Sequence, residues 1–347
     1  MRKYFGLILF FLIFVVTLLL AEGSFRILNK TGIFHFEFVD APGRKVGLYM
    51  YDPDVGWRHR PNFQSEITWK HGKTVEQINE RGWRDRIYDF KKKEGVYRIA
   101  IIGCSRTYGY AVNEEDSYPS QLEALLNVER EENVEVLNFG VNGLGLTQMY
   151  LVYDKFVRQY DPDLVILQFY TPTVYRTMFT KMWGTQKPAF ILKNGTLILK
   201  NYPVPSDNFR PFETWLVKRS LLYKYIKEQL LRREEFRKIA YKKEMRDNKK
   251  AHQLSSEIIR SFHWKVQDDN ADFVVFIWGD SDYKWHKKIL ENAGVNFFRL
   301  EDFEDRKKWE EKGDLSNPPP AGHWSVTGNA FVAHSISNYL KENQLLE

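Results

Sequence analysis

A chain of 347 residues that is 43% hydrophobic and 28% charged can bury one large core or two modest ones and is too apolar to be disordered. Its single cysteine, Cys104, excludes an internal disulfide and any cysteine-rich zinc site. The formal charge of +6 is local, because residues 218–250 hold thirteen Lys or Arg against five Asp or Glu; the remainder is slightly acidic, which argues against a nucleic-acid-binding face.

After Arg2 and Lys3, residues 5–21 read FGLILFFLIFVVTLLLA, seventeen uncharged positions. At about 1.5 Å per residue the run nearly crosses a hydrocarbon core of about 30 Å. A cleaved signal has a shorter apolar region and small residues before the cut. Bulky Leu19 two positions before Ala21 therefore favours a retained anchor over a signal for residues 1–22. The positive-inside bias keeps Arg2 and Lys3 cytoplasmic and sends everything after residue 22 out of the cytoplasm.

Residues 23–95, with YDPDVGWRHRPNF and QINERGWRDR, predict a small, irregular, strand-containing lead-in module. From residue 96 to 345 the pattern is regular: the apolar run YRIAII, helical spacing in SYPSQLEALLNV, a second run VEVLNF, a helix over LTQMYLVYDKFVRQY and a third run DLVILQFY. Such alternation predicts an α/β domain with a parallel sheet covered on both faces. An insertion at about 176–250 follows. In it Asn194-Gly195, between apolar runs, signals a two-residue hairpin, and the basic stretch reads as a solvated amphipathic helix or a surface for anionic lipid or acidic glycan. The alternation resumes with a helix around LSSEIIRSFHWKV, the strand DFVVFIW, a helix around YKWHKKILENA, the strand VNFFRL, and a closing helix capped by Ser325.

Ligands of an open parallel sheet gather outside the carboxyl ends of its strands. Ser105 stands one Gly-Cys beyond the first such end, where the following helix turns its amides toward developing negative charge; the plainer reading is a serine that caps the helix. The better-spelled Gly279-Asp280-Ser281 follows a late strand and lies about 40 residues before His323, so it reads as a polar turn; the lesser alternative sets Asp280 and Asp282 at the pocket mouth. GVNGLG has the wrong glycine order for a dinucleotide fingerprint. The eight histidines form no metal-ligand pair, and Glu114, Glu115 and Asp116 read as a solvated first turn. No cofactor and no metal is expected.

RIAIIGCSRTYGYAVNEEDSYPSQLEALL, from residue 98, resembles the first block of the SGNH, or GDSL-type, hydrolases. VEVLNFGVNGLG is similar to their second block and PPAGHWSVTGNAFVAHSI to their last, while INERGWRDRIYDFKKKEGVYRI is similar to a lead-in of membrane-anchored bacterial members. The resemblance implies a three-layer α/β/α fold with a mostly parallel, flavodoxin-like five-stranded sheet. It implies Ser105 as nucleophile, His323 as base, and the amides of Ser105 and Gly143 as oxyanion donors. Three positions depart from the pattern: Cys104 replaces the Asp of Gly-Asp-Ser, Thr171-Pro172-Thr173 stands where Gly-x-Asn-Asp belongs, and Pro320-Ala321 replaces the acid before the histidine. Asp314, the nearest upstream carboxylate, or a backbone carbonyl is left to orient His323, and Thr171 or Thr173 to replace the missing donor. The function implied is an extracytoplasmic esterase or O-acyl (acetyl) transferase acting on a cell-surface glycan or lipid ester. The alternative is a catalytically silent module that binds glycan or partner proteins in envelope assembly.

Overall fold

The computed structural model describes residues 2–31, 47–129, 133–182, 185–206, 215–216, 219–227, 229–230, 233, 248–279, 282–318 and 322–346. Asp280, Ser281, Pro320, Ala321 and much of the basic stretch lie outside them.

The chain opens with helix α1 (Arg2–Lys30). It is long and apolar enough to cross a membrane, and its apolar side chains, such as Phe10 and Leu12, are exposed along its length. Two antiparallel hairpins form the lead-in: β1 (Tyr49–Asp52) with β2 (Gly56–His59), and β3 (Gln64–Trp69) with β4 (Gly72–Gln77). Then come β5 (Val96–Gly103), the short helix α2 (Ser105–Tyr108), α3 (Tyr118–Glu129), β6 (Asn133–Gly140), α4 (Leu146–Val152), β7 (Leu164–Gln168) and α5 (Thr171–Thr177). Small pairs follow, β8 (Lys181–Met182) with β9 (Thr185–Gln186) and β10 (Ala189–Lys193) with β11 (Thr196–Lys200). The chain closes with α6 (Lys249–Asp268), β12 (Asp272–Ile277), α7 (Tyr283–Ala293), β13 (Asn296–Arg299), α8 (Arg306–Lys312) and α9 (Val326–Glu342).

The central sheet runs β13-β12-β7-β5-β6, and every neighbouring pair is parallel. Counted by its own strands that order is 2-1-3-4-5, the flavodoxin-like winding that the resemblance implies. Alternation along each strand sorts the core into two layers. Ala100, Ile102, Leu137, Phe139, Val165 and Leu167 pack toward α4, α6 and α7 with the lead-in's Trp57 and Trp83. Ile99, Ile101, Val136 and Ile166 pack toward α3 and α9. The lead-in thus shares a core with one face of the sheet.

Asn194 and Gly195 take φ of 52° and 80°, the paired positive values of a type I′ turn, and join Lys193 to Thr196 as the dipeptide predicts. Ser325 caps α9, accepting from the Gly328 amide at 3.0 Å. The helix expected over LTQMYLVYDKFVRQY is regular only to Val152. Residues 153–157 widen into a π turn and 158–160 tighten into a 3₁₀ turn, which keeps Tyr153, Val157 and Tyr160 all buried.

Candidate active site

β5 ends in Gly103 and turns at once into α2. No larger residue fits, since a Cβ on Gly103 would overlap Thr107 Oγ1 and stand 2.9 Å from Gln168 Cβ. At the end of β6 a Cβ on Gly140 would press on the Tyr108 amide and lie 2.6 Å from the Thr107 carbonyl carbon. The two glycines let strands β5 and β6 close on α2, so the first residue of that helix, Ser105, stands at the crevice where the winding of the sheet reverses.

His323 comes to it from 218 residues away: His323 Nε2 and Ser105 Oγ are 2.8 Å apart. Both residues are half-buried. The loop carrying His323 is pinned at its base, where the Asn317 amide donates to the His323 carbonyl at 2.7 Å and the Ser325 amide to the Leu315 carbonyl at 3.1 Å. The Asn317 side chain, buried, donates to the carbonyls of Ala111 (3.2 Å) and Trp324 (3.3 Å), linking the histidine loop to the loop after the serine. Tyr110 packs on the imidazole with ring centres 4.5 Å apart. The lead-in reaches the same loop, with Trp69 against Tyr110 at 5.1 Å and His71 Nε2 2.9 Å from the Ala111 carbonyl oxygen.

The other expected residues are placed as follows. Gly143 lies in the buried loop after β6 at φ 82°, and its amide makes no hydrogen bond among the described residues. Asp314 is exposed; its main-chain carbonyl accepts from the Ser325 hydroxyl, and no hydrogen bond or ion pair joins its carboxylate to His323. The Thr171 hydroxyl donates to Asp282 and is 3.2 Å from His286 Nε2. The Thr173 hydroxyl donates to the Tyr170 carbonyl at 2.7 Å. The structure therefore brings Ser105 and His323 together, and commits both threonine hydroxyls elsewhere.

Cys104, fully buried, is bound from below. Its amide and its thiol both reach Gln168 Oε1 at 3.2 Å, and its sulfur lies 2.9 Å from the Tyr170 hydroxyl. Arg176 donates to that hydroxyl at 3.2 Å. Burial pushes the Tyr170 phenol well above its ordinary range and so keeps it a neutral donor. Next to the serine, the Arg106 guanidinium sits over Trp324 (4.8 Å) and Trp278 (5.3 Å), and burial lowers its pKa. Arg84, 1% exposed, holds the loop after α2 by donating to the carbonyls of Tyr108 (3.2 Å), Gly109 (2.6 Å) and Val112 (2.8 Å), and to that of Val75 (3.0 Å) in the lead-in. No local pattern in the sequence singled out Arg84, Asn317, Gln168 or Arg106. The one available signal was that Arg84 falls inside the lead-in resembling the membrane-anchored hydrolases.

No family model matches the chain, and no curated protein does. Solved structures do. A putative lipolytic protein of the G-D-S-L family from Desulfitobacterium hafniense is 12% identical over 69% of this chain and 97% of its own, with a TM-score of 0.37. A lipase/acylhydrolase from Enterococcus faecalis is 13% identical over 71% and 96%, with a TM-score of 0.39. A two-domain esterase active on acetylated mannans is 12% identical over 73% and 50%, with a TM-score of 0.37. At these identities and scores the likeness bears on neither reaction nor substrate, which rest on the geometry around Ser105.

Proposed function

We propose that the chain is a membrane-anchored, extracytoplasmic serine esterase or O-acyl (acetyl) transferase acting on an ester of a cell-surface glycan or lipid. The observation that carries this reading is the 2.8 Å approach of Ser105 Oγ to His323 Nε2 at the reversal point of the sheet. With Nε2 unprotonated, the serine hydroxyl donates to it. As Oγ attacks the ester carbonyl carbon, its proton passes to Nε2, and the carbonyl oxygen becomes an oxyanion. The amides of Ser105, at the start of α2, and Gly143 are the donors we assign to it. The intermediate collapses, breaking the bond to the alkoxy oxygen, which takes the proton from His323 and leaves as an alcohol. Ser105 is then acylated. His323 next takes a proton from water or from a glycan hydroxyl as that oxygen attacks, releasing either the free acid or a new ester and restoring the serine.

The Asn317 bonds and Tyr110 contribute to the placement of His323 in this reading, and the Asp314 carboxylate does not. The second reading, a silent binding module, is favoured by the hydroxyls of Thr171 and Thr173, which are spent on Asp282 and Tyr170. Exposure of the detergent-solubilised full chain to a serine-directed fluorophosphonate separates the two. Labelling of the wild type and not of Ser105→Ala supports the esterase; a folded wild type that takes no label supports the binding module.

A further inference from the structure

Of the basic stretch at 218–250, the described residues 219–227 are moored to α1. The apolar run of α1 ends at Ala21, and the next residue, Glu22, accepts hydrogen bonds from the Leu221 amide (3.0 Å), the Leu222 amide (2.9 Å) and the Ser220 hydroxyl (2.8 Å). Ser220 Oγ in turn accepts from the Tyr223 amide at 2.9 Å, so Glu22 and Ser220 together satisfy the first turn of the helix at 221–227. One turn along α1, Arg26 donates to Glu22 (2.8 Å) and to the Arg219 carbonyl (2.6 Å), and the Phe25 and Tyr225 rings meet at 5.1 Å. Residues 4–21 measure about 27 Å along a helix, against about 30 Å of hydrocarbon, so a spanning α1 holds Glu22 and everything bonded to it at headgroup level.

The moored segment exposes the side chains that suit such a level. Ile226 and Leu230, one helical turn apart, are 46% and 60% exposed, and Trp215 is 48% exposed with the Arg219 guanidinium 5.0 Å over its ring. Arg219, Lys224, Lys227 and Arg233 add positive charge to the same short stretch. Apolar side chains on one face with cations around them, lying beside the end of a span, are the makings of an interfacial helix. We propose that this segment lies on the bilayer around the foot of α1, with Ile226 and Leu230 at the acyl boundary and its Lys and Arg on the phosphates of anionic phospholipids. The inference rests on the membrane-anchor part of the reading above and is independent of catalysis.

The test is spin-label accessibility on the full chain, with nitroxides at Ile226→Cys, Leu230→Cys, Leu12→Cys in α1 and, as a water-facing reference, Val128→Cys on α3, where the side chain is 86% exposed. Cys104 is buried, and the unsubstituted chain measures its background. The chain is placed in vesicles of phosphatidylcholine alone or with phosphatidylglycerol. The expected result is that, with phosphatidylglycerol, the labels at 226 and 230 lose accessibility to a soluble nickel complex and gain it to oxygen. Joint replacement of Arg219, Lys224, Lys227 and Arg233 by Glu should restore access to nickel. Labels at 226 and 230 as accessible as the one at 128, while 12 is shielded, overturn the inference and leave the anchor standing. An accessible label at 12 overturns both. Equal shielding in phosphatidylcholine alone, or shielding by a soluble acidic oligosaccharide in place of phosphatidylglycerol, overturns the assignment to anionic lipid.

Discussion

Ser105 and His323, 2.8 Å apart beyond β5, have a counterpart two strands of the chain later: Thr171 and His286, 3.2 Å apart beyond β7, at the same end of the same sheet. The second group has a hydroxyl, an imidazole and the Asp282 carboxylate, while the carboxylate expected for the first group, that of Asp314, is not bonded to His323. Yet Thr171 is 7% and His286 2% exposed, the threonine hydroxyl points its proton at the carboxylate rather than at the imidazole, and Phe169 and Trp285 pack against the ring. A buried hydroxyl that donates its hydrogen bond to a carboxylate holds elements together; α5 and α7 are joined through it. A half-buried hydroxyl facing an imidazole where the winding reverses is placed to meet a substrate. Position and access distinguish the two groups, and residue type does not.

The largest effect that can break this contrast comes from paired substitutions. His323→Ala should slow fluorophosphonate labelling of Ser105 by about 10⁴-fold, as loss of a triad function does. Thr171→Val should slow it by less than about tenfold, because an oxyanion donor would cost about 10² to 10³. Equal losses from the two, measured as second-order labelling rates on folded protein, would put Thr171 in the site and undo the distinction.

Arg84 sharpens it from the side of the scaffold. Arg84→Met removes the donor from three carbonyls of the 108–112 loop and from Val75, and should cost about 4 kcal/mol, several buried acceptors being left short at about 1 to 3 kcal/mol each. A urea midpoint reads the loss. Labelling measured where the variant is still folded should also slow, because that loop carries Tyr110 against His323. A stability loss with an unchanged labelling rate would make Arg84 a core residue only.

Gly140→Ala should have a smaller effect on stability, about 2 kcal/mol of overpacking, read as a lower Tm. Its Cβ meets the backbone of α2 itself, so labelling should fall more than the lost stability accounts for. This glycine also marks how far the site was legible in the sequence. Ser105 and His323 could be read because each sits in a local block, strand-Gly-Cys-Ser and His-before-helix, and the five strands because each is a short apolar run between turn residues. Asn317 and Arg84 could not be read, because the bonds by which they hold the loop after the serine span 206 residues in one case and 24 to 28 in the other, and no short-range pattern encodes such a contact. The π turn at 153–157 was hidden for a related reason: its apolar spacing still reads as helix, and only the fit of Tyr153 and Val157 to the core decides where the helix widens.

The smallest effect concerns a second polar group, half-buried, that should behave as Thr171 does. The Asp85 carboxyl accepts from the amides of Asn138 (2.8 Å) and Arg86 (2.7 Å) where the lead-in meets β6. Burial pushes its pKa well above the usual carboxylate range, with the charges of Glu114 and Glu123 adding to the rise and the two amides opposing it. A folded-state pKa above the unfolded one means the folded chain keeps a proton that the unfolded chain has released. The stabilising contribution is therefore complete below about pH 4, where both states are protonated, and is lost as pH rises through the elevated value. Asp85→Asn should flatten that decline in urea midpoints across the acidic range and leave the labelling rate of Ser105 at neutral pH unchanged. A midpoint that still falls over the same range would place the titration on another group. A changed labelling rate would mean that the polar contacts of the lead-in reach the chemistry, and would narrow the difference between scaffold and site.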